Sequence, residues 1–140
     1  MTSVRGKFPK HFVSFRSDRF ELEIPEDEID SLFPGEDCCH WFYERLTMAP
    51  GCAPHQSPVM EDWGWTFALQ ANRSTIRVNV WGIEEWTLGV ESGFSLGALL
   101  IPSRRKKTEA DRLAACELIE SLICSDLKAE FLGWSETFPS

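Results

Sequence analysis

Period-two alternation dominates the middle of the chain. Trp63, Trp65, Phe67 and Leu69 alternate with Gly64, Thr66, Ala68 and Gln70, and "ANRS" then makes a turn. Ile76, Val78 and Val80 alternate with Thr75, Arg77 and Asn79; after "GIEE", Trp86, Leu88 and Val90 alternate with Thr87 and Glu91. Each segment reads as a strand with one buried face. Turns this short make consecutive strands antiparallel neighbours, so the pattern predicts a β-meander. "ESGF" reads as a third turn and "FSLGALLIP" as a further strand. Upstream, "HFVSFRSDRFELEIP" holds two strand-like pieces broken at "RSDR", the second with Phe20, Leu22 and Ile24 facing inward. The tail "KAEFLGWSETFPS" predicts an edge strand. Residues 1–10 lack periodicity and are expected to be loosely ordered.

Two segments change period to that of a helix. From about Glu36, acidic residues stand where the helix dipole favours them, and Cys38, Cys39, Trp41, Phe42 and Leu46 form an apolar side. Ile29, Leu32 and Phe33 fit one short helical turn that Pro34 and Gly35 interrupt. "TMAPGCAPHQSP", with three prolines, reads as a loop. In "SRRKKTEADRLAACELIESLICSDL", Thr108 is the expected N-cap, with Asp111 three residues on. Leu113, Cys116, Ile119, Ile123 and Leu127, widened by Leu118 and Leu122, make a stripe broad enough to lie on a sheet. "RRKK" at 104–107 is assigned to a solvated loop, because cations are disfavoured at a helix N-terminus.

The resulting order, β-β-α-β-β-β-β-α with a final strand from the tail, predicts a single α+β domain over residues 1–140. Its architecture is one antiparallel β-meander sheet of five to six strands with two α-helices packed on one face. Trp81 falls out of phase with Ile76, Val78 and Val80, so it is expected on the opposite face, where exposed aromatics would form a binding surface.

Bulk composition narrows the functional classes. A chain of 140 residues with 43% hydrophobic and 26% charged residues suits one globular domain. A formal net charge of −8 argues against sequence-independent nucleic-acid binding, which needs clustered Lys and Arg. No apolar run reaches membrane-helix length, and the N-terminus lacks the run of a signal peptide. The five cysteines are odd in number and include an adjacent pair, which suggests a reducing cytoplasm over a disulfide framework.

Candidate chemistry is sparse. Cys38, Cys39, His40, Cys52 and His55 lie within 18 residues, and thiolates and imidazoles suit zinc. Adjacent helical residues project about 100° apart, however, so Cys38 and Cys39 are poorly placed to share an ion. Buried structural thiols are the simpler reading, and no metal or cofactor is expected. A Cys–His nucleophile drawing on His11, His40 or His55 has no supporting local motif. Glu61 and Asp62 next to Trp63 resemble the carboxylates of sugar chemistry. Adjacent strand residues point apart, so one is expected to hold the loop and the other to be free for a ligand. With Trp81, Glu61 and Asp62 are the candidate ligand-binding residues. Glu26, Asp27, Glu28, Asp30, Glu36 and Asp37, in an acidic run, are the candidates for docking a basic protein partner. No Gly-rich phosphate loop, G-x-S-x-G elbow or HExxH motif occurs, which shifts the expectation away from an enzyme.

"SPVMEDWGWTFALQ" followed by "IRVNVWGIEEWTLGVE", roughly residues 58 to 91, resembles a group of small, uncharacterised bacterial α+β proteins. They share the E-D-W-G-W strand start and a later tryptophan-bearing strand. The resemblance implies a bacterial cytosolic protein and carries over no catalytic residues. Small acidic bacterial α+β domains include toxin-neutralising immunity proteins, an analogy of fold and charge. Two functions are thus expected: a non-enzymatic protein-binding or regulatory module with an acidic, tryptophan-bearing surface, or a small-molecule or carbohydrate site, possibly hydrolytic, around Glu61, Asp62 and Trp81.

Overall fold

A computed structural model describes residues 11–22, 33–92 and 101–138. They form an α+β fold in the order β1 (Phe12–Arg16), α1 (Glu36–Thr47), β2 (Cys52–Glu61), β3 (Gly64–Ala71), β4 (Ser74–Gly82), β5 (Trp86–Ser92), α2 (Pro102–Ser121) and β6 (Glu130–Ser135). The sheet order is β2-β3-β4-β5-β1-β6, with every neighbouring pair antiparallel. The meander runs from β2 to β5. β1 then adds beside β5, and β6 pairs with β1 at the edge, so the first and last described strands are neighbours.

Register fixes the faces. Phe67 pairs with Val78, Val78 with Val90, Val80 with Leu88 and Leu88 with Val13, so these side chains share one side. Both helices cover it. Phe42 of α1 meets Phe15 at 5.9 Å between ring centroids, and Tyr43 meets Phe67 at 5.5 Å. Cys116 and Ile119 of α2 are fully buried in the same core. Among the described residues, no helix is long and apolar enough to cross a membrane.

Four sequence expectations change. "TMAPGCAPHQSP" is not a loop: from Cys52 onward it is β2, with its register shifting between Pro54 and Gln56 and between Gln56 and Val59. Proline lacks the N–H of a central ladder, but an edge strand has a free side that tolerates it. Phe20 and Leu22 lie in irregular chain; Phe20 is buried against Trp41, Phe42 and Trp86. Helix α2 begins at Pro102, so Thr108 is not its N-cap and Arg104 to Lys107 lie within it as exposed side chains. Proline at the first helical position has no N–H to leave unpaired and its φ is already helical, which starts the helix without a side-chain cap. The segment also overruns its α geometry: Leu122–Asp126 forms a π turn in which Leu127 N–H bonds Leu122 O at 2.8 Å. Fourth, Trp63 does not continue the strand. Glu61 pairs with Gly64, which leaves Asp62 and Trp63 as the two-residue turn between β2 and β3. The strand expected in "FSLGALLIP" falls almost wholly in 93–100, outside the described residues, as does Ile24.

Candidate functional site

The face opposite the helices carries a second, smaller aromatic cluster. Alternation puts Thr66 and Ala68 of β3, Arg77, Asn79 and Trp81 of β4, Thr87, Gly89 and Glu91 of β5, and Phe12 and Ser14 of β1 on this side. Trp81 is the hub. Its ring lies 5.1 Å from that of Trp63, 4.9 Å from Phe138 and 5.9 Å from Phe12, while Phe12 and Phe138 stand 5.7 Å apart. The Ser135 hydroxyl donates to Thr137 O at 2.7 Å, holding the bend that brings Phe138 back onto the sheet.

Gly89 makes this arrangement possible. A Cβ there would stand 2.9 Å from Trp81 Cζ3, closer than the ring allows without shifting, and in tight contact with Phe12 Cε1 at 3.1 Å. Glycine in a strand interior commonly marks such a close approach. Trp81 Cδ1 lies 3.6 Å from where a Cβ on Gly64 would be, so the indole spans from β3 towards β5.

Above Gly89 opens a cavity of about 660 Å³, lined by His11, Phe12, Trp63, Asn79, Trp81, Gly89, Val90, Glu91 and Phe138. It has an aromatic end and a polar end. Asn79 pairs with Gly89 and Arg77 with Glu91, two and four residues along β4 from Trp81. A chain of hydrogen bonds sets the polar end. Arg77 Nη1 donates to Thr66 Oγ1 at 3.3 Å, Thr66 Oγ1 lies 2.8 Å from Asn79 Oδ1, and Asn79 Nδ2 donates to Glu91 Oε2 at 2.7 Å. The asparagine oxygen thus accepts from a hydroxyl and its nitrogen donates to a carboxylate, an assignment in which every partner is satisfied. His11 is held by its backbone, which donates to Ser135 O at 3.2 Å and accepts from Val90 N at 2.9 Å.

The sequence candidates divide. Trp81 lines the cavity. Glu61 and Asp62 do not; both are exposed at the β2–β3 turn, beside Trp63, and neither side chain makes a hydrogen bond or ion pair among the described residues. The expectation that one of them holds the loop is therefore not met: two-residue hairpin pairing does that. Of the acidic run, Glu26, Asp27, Glu28 and Asp30 lie outside the described residues. Glu36 and Asp37 open α1, where Asp37 accepts from the backbone N–H groups of Glu21 at 3.0 Å and Cys38 at 2.8 Å. Phe12, Gly89, Glu91 and Phe138 were missed. The available signals were Phe12 out of phase with Val13 and Phe15, and a glycine in mid-strand.

The thiols lie elsewhere. Cys38, Cys39 and Cys116 are buried in the helix-side core. Burial pushes the Cys38 thiol well up, aided by Cys39 and Asp37, and pushes Cys39 up to about 12. His55 is engaged with Gln70 at 3.2 Å. Among the described residues, no group of three or more His, Cys, Asp or Glu is placed to hold a metal ion. The raised thiols predict an alkaline weakness. A folded-state pKa above the unfolded value of about 8.5 gives stability that is complete below it and lost as pH rises. Between pH 8 and 10, Cys39 alone is expected to cost about 2 kcal/mol. Guanidinium unfolding at both pH values should show a loss smaller by that amount in Cys39→Ala; an unchanged pH slope would reject the assignment.

No protein-family model, curated protein or solved structure matches the chain.

Proposed function

We propose that this protein recognises a small organic ligand, without turning it over, in the cleft above Gly89. One observation carries the reading. Four aromatic side chains from four separate segments converge on a single cavity whose far end is polar. Small-molecule sites typically enclose about 300–1,000 Å³ and combine apolar walls with a few fixed polar groups, and the cavity of about 660 Å³ falls in that range. Trp63 and Phe138 are each 41% exposed, so these rings stand at the opening and not in a closed core.

This differs from the site expected around Glu61 and Asp62; of that trio only Trp81 contributes. It is also a different surface from the acidic run, of which only Glu36 and Asp37 lie among the described residues and Asp37 serves the backbone of Glu21 and Cys38. The resemblance over residues 58 to 91 supports placing this recognition in a bacterial cytosol.

A thermal-shift screen of aromatic fragments tests the reading. Compounds that raise Tm should lose at least ~10-fold in affinity in Trp81→Ala, because the hub ring supplies contacts to every other wall. Trp63→Ala, altered only at an exposed turn, serves as a second variant that leaves the sheet intact. Hits that bind both variants as tightly as the parent protein would sink the proposal.

A further inference from the structure

We infer that the ligand class of this cleft is an organic ammonium ion, a protonated or quaternary amine on a small apolar group. The inference rests on the cleft being a ligand site, as proposed above.

Ring orientation is the first argument. Trp81 meets Trp63 at 36°, Phe12 at 52° and Phe138 at 76°, and Phe12 meets Phe138 at 83°. In none of these four contacts are the rings parallel, so the cluster does not present one flat platform. A sugar stacks on one open ring face. An ammonium is attracted to the negative face of any ring it reaches and needs no flat platform, and Trp63 and Phe138 stand exposed at the opening.

Charge is the second. Glu91 is the carboxylate of the lining, and neither Lys nor Arg joins it among the described lining residues. Asn79 occupies Oε2 at 2.7 Å, which orients the carboxylate and leaves Oε1 without a partner among the described residues. The cross-strand cation, Arg77, directs Nη1 to Thr66 instead. An anion in the cleft would meet the Glu91 carboxylate, with the His11 imidazole as the one basic group of the lining to set against it. A cation would meet one fixed carboxylate and the aromatic faces, within a protein of net charge −8 that attracts cations at range. These two elements set the ligand class by charge and by a small apolar body.

Four probes separate the outcomes: benzyltrimethylammonium, benzyl alcohol, benzoate and methyl β-glucopyranoside, each titrated against the full chain while following the indole NMR signals of Trp63 and Trp81. Benzyltrimethylammonium should bind about tenfold tighter than benzyl alcohol, with benzoate weakest. Glu91→Gln, a change at an exposed side chain, should weaken the cation about tenfold and leave benzyl alcohol unchanged. Circular dichroism checks that the variant keeps its fold. Equal or tighter binding of the alcohol, benzoate or glucoside, or an unaltered cation affinity in Glu91→Gln, overturns the ammonium assignment while leaving a ligand cleft. If none of the four probes shifts either indole, both the assignment and the underlying proposal fall.

Discussion

Trp86→Ala is expected to reduce the free energy of unfolding by about 4 kcal/mol, while Trp86→Phe costs about 1 kcal/mol. Trp86 is fully buried and is the junction of the helix-side aromatic core, meeting Phe20 edge-on at 5.9 Å. The chain is shaped around it. A Cβ on Gly82 would lie 2.6 Å from Trp86 Cζ3, and one on Gly35 would lie 3.5 Å from the same atom. Alanine removes the ring and leaves a cavity bounded by β4, the Gly35 bend and Phe20; β4 cannot move inward without breaking its pairing to β3 and β5. Phenylalanine leaves a smaller void. It also removes an indole N–H that is buried with no hydrogen-bond partner among the described residues. Such an unpaired donor costs about 1–3 kcal/mol, which offsets part of the lost packing. Urea unfolding of the two variants separates the contributions. If Phe costs as much as Ala, the indole N–H is satisfied and the packing account is incomplete.

The contrast between Trp86 and Trp81 also shows what the sequence makes legible. Both are strand tryptophans five residues apart. Trp86 keeps phase with Leu88 and Val90, so alternation assigns it to the core. Trp81 breaks phase with Val80, and the same rule sends it to the other face. β3, β4 and β5 could be read because one face is wholly buried and a one-residue slip would expose every core side chain. β2 could not: it lies at the sheet edge, most of its side chains are exposed or half-buried, and its prolines carry the signature of a loop. The cleft was half legible for a different reason. Trp63 and Trp81 lie close in sequence, but Phe12 and Phe138 reach them only because β1 inserts between β5 and β6. That pairing joins the first and last described strands, and no local pattern encodes it. Gly89 was visible as a weak spot in a strand, yet its role depends on rings contributed by β1 and β4.

Arg112→Met is expected to cost about 3 kcal/mol and to flatten the loss of stability on acidification. Arg112 is 2% exposed although α2 is otherwise polar on its outer side. Its guanidinium meets Glu109 in a fork, Nε to Oε1 at 2.9 Å and Nη2 to Oε2 at 2.7 Å. Nη1 donates to Val90 O at 3.1 Å and approaches Cys116 Sγ at 3.8 Å. One side chain therefore ties α2 to β5, next to the tie that Asp111 makes to Ser74 at 2.6 Å and Asn72 at 3.0 Å. Methionine fills the volume of the stem but leaves Val90 O without this donor and Glu109 without its partner. Glu109 is half exposed and regains water, which holds the cost below that of a fully buried broken pair. The pH dependence follows from the same contact. The hydrogen bond from Arg112 holds the Glu109 carboxyl below its ordinary value. A lowered folded-state pKa contributes stability that is present above the unfolded value of about 4.3 and is lost as pH falls through the folded value. Solvent screening makes that contribution modest, but its sign is fixed. Between pH 6 and 3, the parent protein should lose more stability than Arg112→Met, and Glu109→Gln should match the variant's shallower slope. Parallel acid profiles for all three proteins would show that the fork is a surface pairing with no grip on α2. A steeper profile in Arg112→Met would mean that Glu109 has found another cation.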